Sequence, residues 1–258
     1  MKLKSIIELI NDNLKLKIPE KWDNSGLQIG DYSNDIKNIM LILDLDKNAV
    51  EFSVLNNIDL IITHHPFIFS PLKSIDFSTY DGKLIRDLII NNINVYSMHT
   101  NLDMADYGVN YELANLLGIK DYEILHIVND DNSGYGGISN ISPINVIEYA
   151  NFVKSSLNCN TIKLYCNDNK KNISRVAFCG GSGSEFISDA ITKGADIYIT
   201  GDIKYHQAQD ALKNNLVIID AGHHYTEYHS IKNIQEILNI AGLNVIFDDR
   251  NTVAEIVL

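Results

Sequence analysis

Two adjacent histidines, His64 and His65, follow the apolar run of residues 58–62 and precede Pro66. An imidazole can bind a metal ion or move a proton near neutral pH, although a single histidine beside an apolar run is more often a packed structural residue. Successive strand side chains point to opposite faces, so this pair can converge only where the chain has left the strand. Pro66 favours such a break because it disfavours continued regular pairing. The stretch therefore predicts a histidine-bearing loop after a buried strand.

Other histidines occupy similar positions. Of the eight in the chain, six fall just after a predicted strand or in the segment leaving it: His64, His65, His99, His206, His223 and His224. The same segments carry the carboxylates Asp103, Asp202 and Glu227. Ligands collect outside the carboxyl ends of parallel strands, and this predicts a shared site. The i, i+4 spacing of His99 with Asp103 and of His223 with Glu227 would let both side chains bind one ion, although a polar helix start also explains residues 222–227.

The number of these side chains predicts more than one metal ion. Several imidazoles and at least two carboxylates exceed what one tetrahedral ion needs, so two ions bridged by a carboxylate use them better. Nitrogen and oxygen donors without thiolate suit Zn, Mn, Fe, Co or Ni, and the sequence leaves that choice open. Two neighbouring ions would make a water acidic enough to attack near neutral pH, which predicts hydrolytic chemistry.

Composition limits the remaining function classes. The chain has 258 residues, 45% of them hydrophobic, and can bury a large core in one domain or two. Its net charge of −12 argues against nucleic acid or an anionic membrane as the main partner. No segment is long enough to span a membrane, and residues 1–13 lack the apolar core of a signal peptide. The three cysteines are widely separated, which fits structural thiols in a reducing cytoplasm: Cys159, Cys166 and Cys179.

The elements that must position the histidines alternate between strands and helices, which is typical of an α/β protein with mostly parallel pairing. The predicted strands are 38–45, 59–63, 94–99, 161–166, 175–180, 196–200, 216–220 and 244–249. Predicted helices include 47–57, 110–118, 142–157, 184–194 and 230–242, whose apolar residues recur at three- and four-residue spacing. The Asn-, Asp- and Gly-rich residues 129–137 predict a boundary between two halves.

A weak internal repeat favours the same division. Residues 37–65 can be laid over 174–202, and 93–119 over 215–242, although identity is low and any α/β chain can converge on this pattern. We expect two similar α/β lobes with mixed, mostly parallel sheets flanked by helices, and a metal site in the cleft between them. The predicted ranges are 1–128 for the first lobe, 129–240 for the second, and 241–258 for C-terminal strands that pack back on the first.

Five motifs resemble a known family. They are "WDNSGLQIG" (22–30), "THHPF" (63–67), "HTNLD" (99–103), "GDIKYHQAQDA" (201–211) and "GHHYTE" (222–227). Their order and content are similar to the NIF-three-like family, also called GTP cyclohydrolase 1 type 2 homologues. The resemblance covers nearly the whole chain and implies a two-lobed α/β fold, a dinuclear metal site in the cleft, and a ring-shaped homohexamer. Longer members carry a domain inserted between the halves, and the short join here indicates the form without it.

The resemblance also implies which residues hold the metal ions. Matched by position, the ligands are His64, His65, Asp103, His223 and Glu227, with Glu227 or Asp103 able to bridge. The resemblance selects His223 over His224 as a ligand, a question that the spacing of the residues left open.

Several further residues have two interpretations each. His99 and His206 could orient ligands or move protons, or be purely structural. Lys204 could contact a substrate phosphate, although a solvated lysine is the commoner case. Gly181, Ser182 and Gly183 could cradle phosphate with backbone N–H groups, but a tight turn explains the glycines equally well.

The sequence therefore predicts a dinuclear metal-dependent hydrolase that acts on a small molecule, with a nucleotide as one candidate. The family resemblance implies GTP cyclohydrolase activity, in which the purine imidazole ring is opened and His99 or His206 moves the proton. A metal-dependent phosphoesterase is an alternative, because two-metal sites often serve phosphate displacement. A non-catalytic scaffold or regulatory protein organised by its metal ions is another.

Overall fold

Two β-sheets organise the computed structural model, which describes residues 1–253. Each sheet belongs to one of two compact units: the first comprises residues 1–102 together with residues 231–253, and the second comprises residues 103–230. Within the described residues, no helix combines the length and apolar character needed to cross a membrane.

The first unit is built on a five-stranded sheet with the order β1-β4-β3-β2-β11. Strand β1 pairs antiparallel with β4, and the other neighbours are parallel. The elements are α1 (Leu3–Leu14), β1 (Gly26–Ile29), β2 (Asn38–Ile42), α2 (Lys47–Leu55), β3 (Leu60–Thr63), α3 (Tyr80–Ile90), β4 (Asn94–Ser97), α4 (Thr100–Asp103), the end of α9 (His223–Ile240) and β11 (Asn244–Asp248).

The first unit is stabilised by continuous apolar strands and by the capping of its helix α2. Met40, Ile61 and Val95 from three neighbouring strands pack with apolar residues of α2 and α3 in one buried cluster. Helix α2 begins where the Asp46 carboxylate accepts a hydrogen bond from the Ala49 N–H at 2.7 Å, which satisfies an otherwise unpaired helix donor. The strands are thereby held with their carboxyl ends side by side.

The second unit contains a six-stranded sheet with the order β5-β6-β8-β9-β10-β7, in which β8, β9 and β10 are parallel and the other pairings are antiparallel. Its elements are α5 (Val109–Leu116), β5 (Glu123–Ile127), β6 (Gly134–Asn145), α6 (Val146–Ser156), β7 (Lys163–Tyr165), β8 (Asn172–Phe178), a 3₁₀ turn (Gly183–Phe186), α7 (Ile187–Thr192), β9 (Ile197–Thr200), α8 (Tyr205–Lys213), β10 (Val217–Asp220) and the start of α9.

The central strands of this second sheet are buried on both faces. Phe178, Ile199 and Ile219 belong to one apolar cluster, whereas Tyr198 and Ile218 belong to the cluster on the other face. Parallel strands covered by helices on both sides give such continuous apolar runs. Each sheet contains a run of three parallel strands that follow one another in the chain order of strands: β2-β3-β4 in the first sheet and β8-β9-β10 in the second. The predicted α/β fold with two mixed sheets is confirmed.

All eight predicted strands are present, whereas β1, β5 and β6 were not predicted. Residues 142–145, predicted as helix, end β6, and the helix begins at Val146. The Gly- and Asn-rich β6 carries no strand pattern of its own, and its pairing with β5 and β8 holds it extended. A shift of register between Asn140 and Ile144 accommodates Pro143, which lacks the N–H that a regular ladder needs.

The units do not follow the predicted lobe ranges. Residues 129–137, the predicted boundary, lie inside the second unit between β5 and β6, and the chain changes unit after residues 102 and 230. Strand β5 pairs with β6, and this pairing ties residues 123–127 to the second sheet. At the other end, β11 pairs with β2 in the first sheet. Residues 254–258, part of the predicted C-terminal segment 241–258, lie outside the described residues.

Candidate functional site

Three histidines meet at the carboxyl edge of the first sheet. Strands β3 and β4 are parallel with Thr63 beside Ser97, and the hydroxyls of these two residues lie 2.7 Å apart. His64 and His65 follow β3, and His99 follows β4. Their ring centroids are 4.9 to 5.7 Å apart, and one ring nitrogen from each lies within 4.8 Å of the others. The convergence of these rings at strand ends, which the sequence predicted, is present within this unit.

Each of the three rings is oriented through its Nδ1 atom. His64 Nδ1 lies 2.7 Å from the Met98 carbonyl, and His65 Nδ1 lies 2.6 Å from Asp44 Oδ1. His99 Nδ1 lies 2.8 Å from Asp23 Oδ1. Metal-binding histidines commonly donate one ring N–H to a carbonyl or carboxylate, which sets the tautomer and directs the other nitrogen to the metal. The first unit therefore has the hydrogen-bonding pattern of a metal-binding histidine group.

Asp23 and Asp44 were not among the predicted site residues. Asp44 follows β2, whose carboxyl end lies beside that of β3, so the strand-end rule could have found it. Asp23 precedes β1, and only the antiparallel pairing of β1 with β4 brings it to His99. No local pattern identified that long-range pairing.

The Asp23 carboxylate is fully buried and is held by several donors. Its Oδ2 accepts hydrogen bonds from the Thr100 hydroxyl at 2.7 Å and from the Ser25 hydroxyl, and its Oδ1 faces His99. Burial acts most strongly and would raise the pKa of Asp23, but the hydrogen bonds from His99, Ser25 and Thr100 together outweigh it and hold that pKa well below 3.8. Asp23 is therefore ionised at neutral pH and fixes the His99 ring.

The lowered pKa of Asp23 predicts a loss of stability in acid. A carboxyl group whose pKa is lower in the folded than in the unfolded state stabilises the fold above the unfolded pKa, and this stabilisation disappears as the pH falls through the folded value. We expect the difference in unfolding free energy between wild type and Asp23→Asn to be constant above about pH 5 and to shrink below pH 3.8. Urea unfolding at several pH values measures this difference, and a difference independent of pH would contradict the prediction.

In the second unit, α9 presents His223 and Glu227 on one face. His223 Nε2 lies 3.0 Å from Glu227 Oε2, and its Nδ1 lies 2.7 Å from Asp202 Oδ2. The predicted i, i+4 pair is therefore in contact, because α9 begins at His223 and not at residue 230 as predicted. His224 instead stacks on Tyr228 with ring centroids 4.7 Å apart. This geometry favours His223 as the ligand.

The Gly-rich turn after β8 shapes the space around Glu227. Gly181 has a φ of +64°, and a side chain there would overlap Glu227 Oε1. Its N–H donates to the Thr226 hydroxyl at 2.9 Å, and the N–H of Gly183 donates to the Thr200 hydroxyl at 2.9 Å. These amides are engaged within the fold, which does not favour a phosphate cradle. The positive φ of Gly181 fits the alternative of a tight turn, whereas a side chain at Gly183 would overlap Tyr198 and Thr200. Ser182 lies between them and is exposed.

Gly181→Ala should displace Glu227, and Gly194→Ala provides a matched control. Both glycines have positive φ, +64° and +71°, but an added Cβ at Gly194 meets nothing within 4 Å. We expect Gly194→Ala to cost about 1 kcal/mol of unfolding free energy from backbone strain alone. Gly181→Ala should cost about 2 kcal/mol more because of the overlap, and it should also weaken metal binding. Urea unfolding and metal titration of both variants measure these effects, and equal losses would show that the Glu227 contact is unimportant.

Asp103 is tied to the glycine turn through Asn110. The Asn110 side-chain amide donates to the Asp103 carbonyl at 3.0 Å, and its Oδ1 accepts the Gly180 N–H at 3.0 Å. Asn110 is buried and was not predicted as a site residue. Burial raises the pKa of the nearby Cys179 thiol, and the charges of Asp103 and Glu227 raise it further. Cys179 therefore remains a neutral thiol beside these carboxylates.

His206 and Lys204 lie on the exposed side of α8. The His206 ring packs edge-on against Tyr205, with centroids 5.2 Å apart. Lys204 precedes the helix, and its backbone N–H donates to Gln207 Oε1 at 2.8 Å. Both side chains are solvent-exposed, unlike the part-buried His99. Of the two histidines predicted to be catalytic, His99 therefore has the more ordered surroundings.

The chemistry of these side chains suits a divalent transition metal. The three rings of the first unit form a group that could hold an ion, and the second unit supplies an imidazole in contact with a carboxylate. Nitrogen and oxygen donors without thiolate are typical of Zn, Mn, Fe, Co and Ni sites, and the neutral Cys179 adds no thiolate. The residues present fit the implied metal, although they leave its identity and number open.

Comparison with known proteins gives one consistent result. The sequence model of Duf34/NIF3 (NGG1p interacting factor 3) matches residues 1–252. A Clostridium acetobutylicum protein named GTP cyclohydrolase 1 type 2 homolog is 35% identical over 251 residues, which cover 95% of this chain and 93% of that protein. A Streptococcus pneumoniae protein of the same name is 40% identical over 220 residues, 84% of this chain and 82% of that one.

Solved structures agree with the sequence comparison. HcgD from Methanocaldococcus jannaschii, in its reduced form, superposes with a TM-score of 0.83 at 29% identity, covering 96% of this chain and 97% of that one. A Bacillus cereus protein related to NIF3 has a TM-score of 0.88 at 24% identity over 100% and 99% of the two chains, which shows a common fold. The resemblance inferred from the five motifs is confirmed, and the chain belongs to the Duf34/NIF3 (NGG1p interacting factor 3) family.

Proposed function

We propose that the chain is a metal-dependent hydrolase with a dinuclear centre whose ligands come from both units. The ligands are His64, His65, Asp103, His223 and Glu227. The observation that carries the proposal is the orientation of the three proposed histidine ligands. Each has its Nδ1 beside an oxygen acceptor: Met98 O for His64, Asp44 Oδ1 for His65 and Asp202 Oδ2 for His223. This arrangement holds an imidazole for metal binding in both units.

The residues around the ligands have distinct tasks. When bound, two divalent ions would supply Lewis-acid activation of a water and of the substrate. We assign proton transfer to His99. Asp23 binds its Nδ1 atom, so its Nε2 atom is the nitrogen that can accept and release a proton. Asp44 and Asp202 orient His65 and His223, and the Gly181 turn leaves room for the Glu227 carboxylate.

The substrate we propose is a purine nucleotide, with GTP as the first candidate. The support is the name GTP cyclohydrolase 1 type 2 homolog carried by the relatives from Clostridium and Streptococcus. The expected reaction is hydrolytic opening of the purine imidazole ring with release of formate. The internal hydrogen bonds of the Gly181 and Gly183 amides give no support to a phosphate cradle at that turn.

Metal stoichiometry tests the shared centre. We expect two ions per chain in the purified protein, and we expect either His65→Ala or His223→Ala to reduce the binding of both. One ion retained at full affinity in each variant would mean that each unit binds its own ion, and would contradict the shared centre.

Turnover tests the reaction. The metal-loaded protein should release formate from GTP, and chelation or Asp103→Asn should abolish the release. Asp12→Asn removes an exposed carboxylate on α1 and should leave the rate unchanged. Phosphate release from generic phosphoesters without formate would identify a phosphoesterase. Metal binding without turnover, with an oligomer that dissociates on chelation, would identify a scaffold.

The proposed assembly is a ring-shaped homohexamer in the cytoplasm. The exposed apolar side chains of Leu72 and Ile75, both in the loop before α3, support self-association. Light scattering on the purified protein should give six times the chain mass of 29.0 kDa. A monomer at micromolar concentration would contradict the assembly.

A further inference from the structure

Two large aromatic side chains stand exposed beside the histidine cluster. Trp22 is 60% exposed and Phe69 is 52% exposed. Their ring centroids lie 6.2 Å apart, and each lies close to the His99 ring, at 6.1 and 6.3 Å. Both meet the imidazole edge-on, with interplanar angles of 80° and 81°. Together, Trp22 and Phe69 form an aromatic shelf next to the histidine that we assign to proton transfer.

The segments that carry the shelf are fixed by hydrogen bonds. Asp23, next to Trp22, is buried and bonded to His99 and Thr100. The Asn24 side chain donates to the Ile68 carbonyl, and the Ile68 N–H donates to Gln28 Oε1 at 3.0 Å. The backbone beside Phe69 is therefore tied to the segment that carries Trp22. Such ordering reduces the entropy lost when a ligand binds.

We propose that a flat conjugated ring of the substrate stacks on one ring of this aromatic shelf, contacts the other ring, which is tilted by 53°, and directs its polar edge toward His99. The inference rests on the proposed function for the reaction that follows binding. A planar heteroaromatic ring, such as a purine, matches a tryptophan beside a phenylalanine, because stacking on such side chains stabilises any base through its π face. A sugar phosphate has no aromatic ring and would lack this stacking. The shelf thus favours a nucleoside-type substrate over a simple phosphoester.

Tryptophan fluorescence reads the shelf directly, because Trp22 is the only tryptophan in the chain. The intact, metal-loaded protein is titrated with guanosine, GTP, ribose 5-phosphate and tripolyphosphate. We expect saturable quenching by guanosine and GTP, and none by the two compounds without an aromatic ring. Equal quenching by ribose 5-phosphate would overturn the proposal. The proposal would also be overturned if acrylamide failed to quench Trp22 fluorescence before ligand is added, because this result would mean that another chain covers the shelf.

Phe69→Leu and Phe77→Leu form a matched pair. Both phenylalanines are 52% exposed, but Phe77 lies beside Arg86 and not beside His99. We expect Phe69→Leu to weaken guanosine binding about five- to a hundredfold, and Phe77→Leu to leave it unchanged. Calorimetry extends the test to Trp22, where Trp22→Leu should lose binding and Trp22→Phe should recover part of it. Unchanged affinity in both Phe69→Leu and Trp22→Leu would overturn the proposal.

Binding and turnover separate this inference from the proposed function. Ring-dependent quenching in a protein that releases no formate would support the shelf while the hydrolase proposal fails. Formate release that Trp22→Leu and Phe69→Leu leave unchanged in both KM and kcat would overturn the shelf while the hydrolase proposal stands.

Discussion

His64→Ala should lower the affinity of the protein for divalent metal by more than about a hundredfold. Loss of a group that only orients a metal ligand costs about 10- to 100-fold in affinity, and loss of the ligand itself costs more. His64 is 1% exposed, and its Nδ1 bond to Met98 holds the ring in place. Dialysis against buffered metal, followed by elemental analysis, measures the affinity.

His126→Ala is the matched control for this prediction. His126 Nδ1 also faces a carboxylate, Asp189 Oδ2 at 3.2 Å, and its ring packs on Phe186 with centroids 4.8 Å apart. It belongs to none of the histidine and carboxylate groups that could hold a metal within residues 1–253. His126→Ala should therefore lose some stability and keep its metal. Comparable metal loss in both variants, or full retention in His64→Ala, would contradict the assignment of His64.

Asp23→Asn should lower kcat by about 10²- to 10⁴-fold, the usual contribution of a properly oriented general acid or base. The carboxylate receives hydrogen bonds from His99 Nδ1 and Thr100 Oγ1 at 2.8 and 2.7 Å. An amide has only one acceptor oxygen, so one of these donors would face an N–H group. The His99 ring would then lose its fixed tautomer and orientation. Steady-state kinetics on the metal-loaded variant measure kcat, and elemental analysis shows whether the metal is retained.

Ser25→Ala separates a role in orienting His99 from a purely structural role. It removes one donor to Asp23 Oδ2 and the hydroxyl that accepts the His99 backbone N–H at 3.1 Å, but it leaves the carboxylate and its contact with the His99 ring in place. We expect both variants to lose stability, and only Asp23→Asn to show a large fall in kcat and a changed pH profile. If both variants lose stability and neither loses activity, Asp23 has a structural role alone.

The histidine cluster shows which features of the site local sequence patterns can predict. The apolar runs that become β3 and β4 were predicted, and the rule that ligands collect at the carboxyl ends of parallel strands placed His64, His65 and His99 at one edge. The i, i+4 relation of His223 and Glu227 was also recognisable because helix geometry is local. The motifs implied His64, His65, His223 and Glu227 as ligands, together with Asp103.

The residues that orient the ligands were harder to recognise. Asp23 reaches His99 only because β1 pairs antiparallel with β4, more than 70 residues further along the chain. Asn110 joins Asp103 to Gly180 across a similar separation. Trp22 lies exposed beside His99, and no local pattern indicated that position. These relations depend on which strands become neighbours, and no short stretch of sequence carries that information.

The amino-acid pattern was sufficient to determine the α/β class, the eight apolar strands and the family, and it predicted a set of imidazole and carboxylate ligands. These features depend on hydrophobic periodicity and on spacing within a few residues, which are local properties. Tertiary structure decided that β6 is a strand, that the units change at residues 102 and 230, and that Asp23, Asp44 and Asp202 orient the histidines. Each of these outcomes depends on segments that are separated in the sequence and become neighbours only in the folded protein. Local sequence patterns do not encode which segments meet.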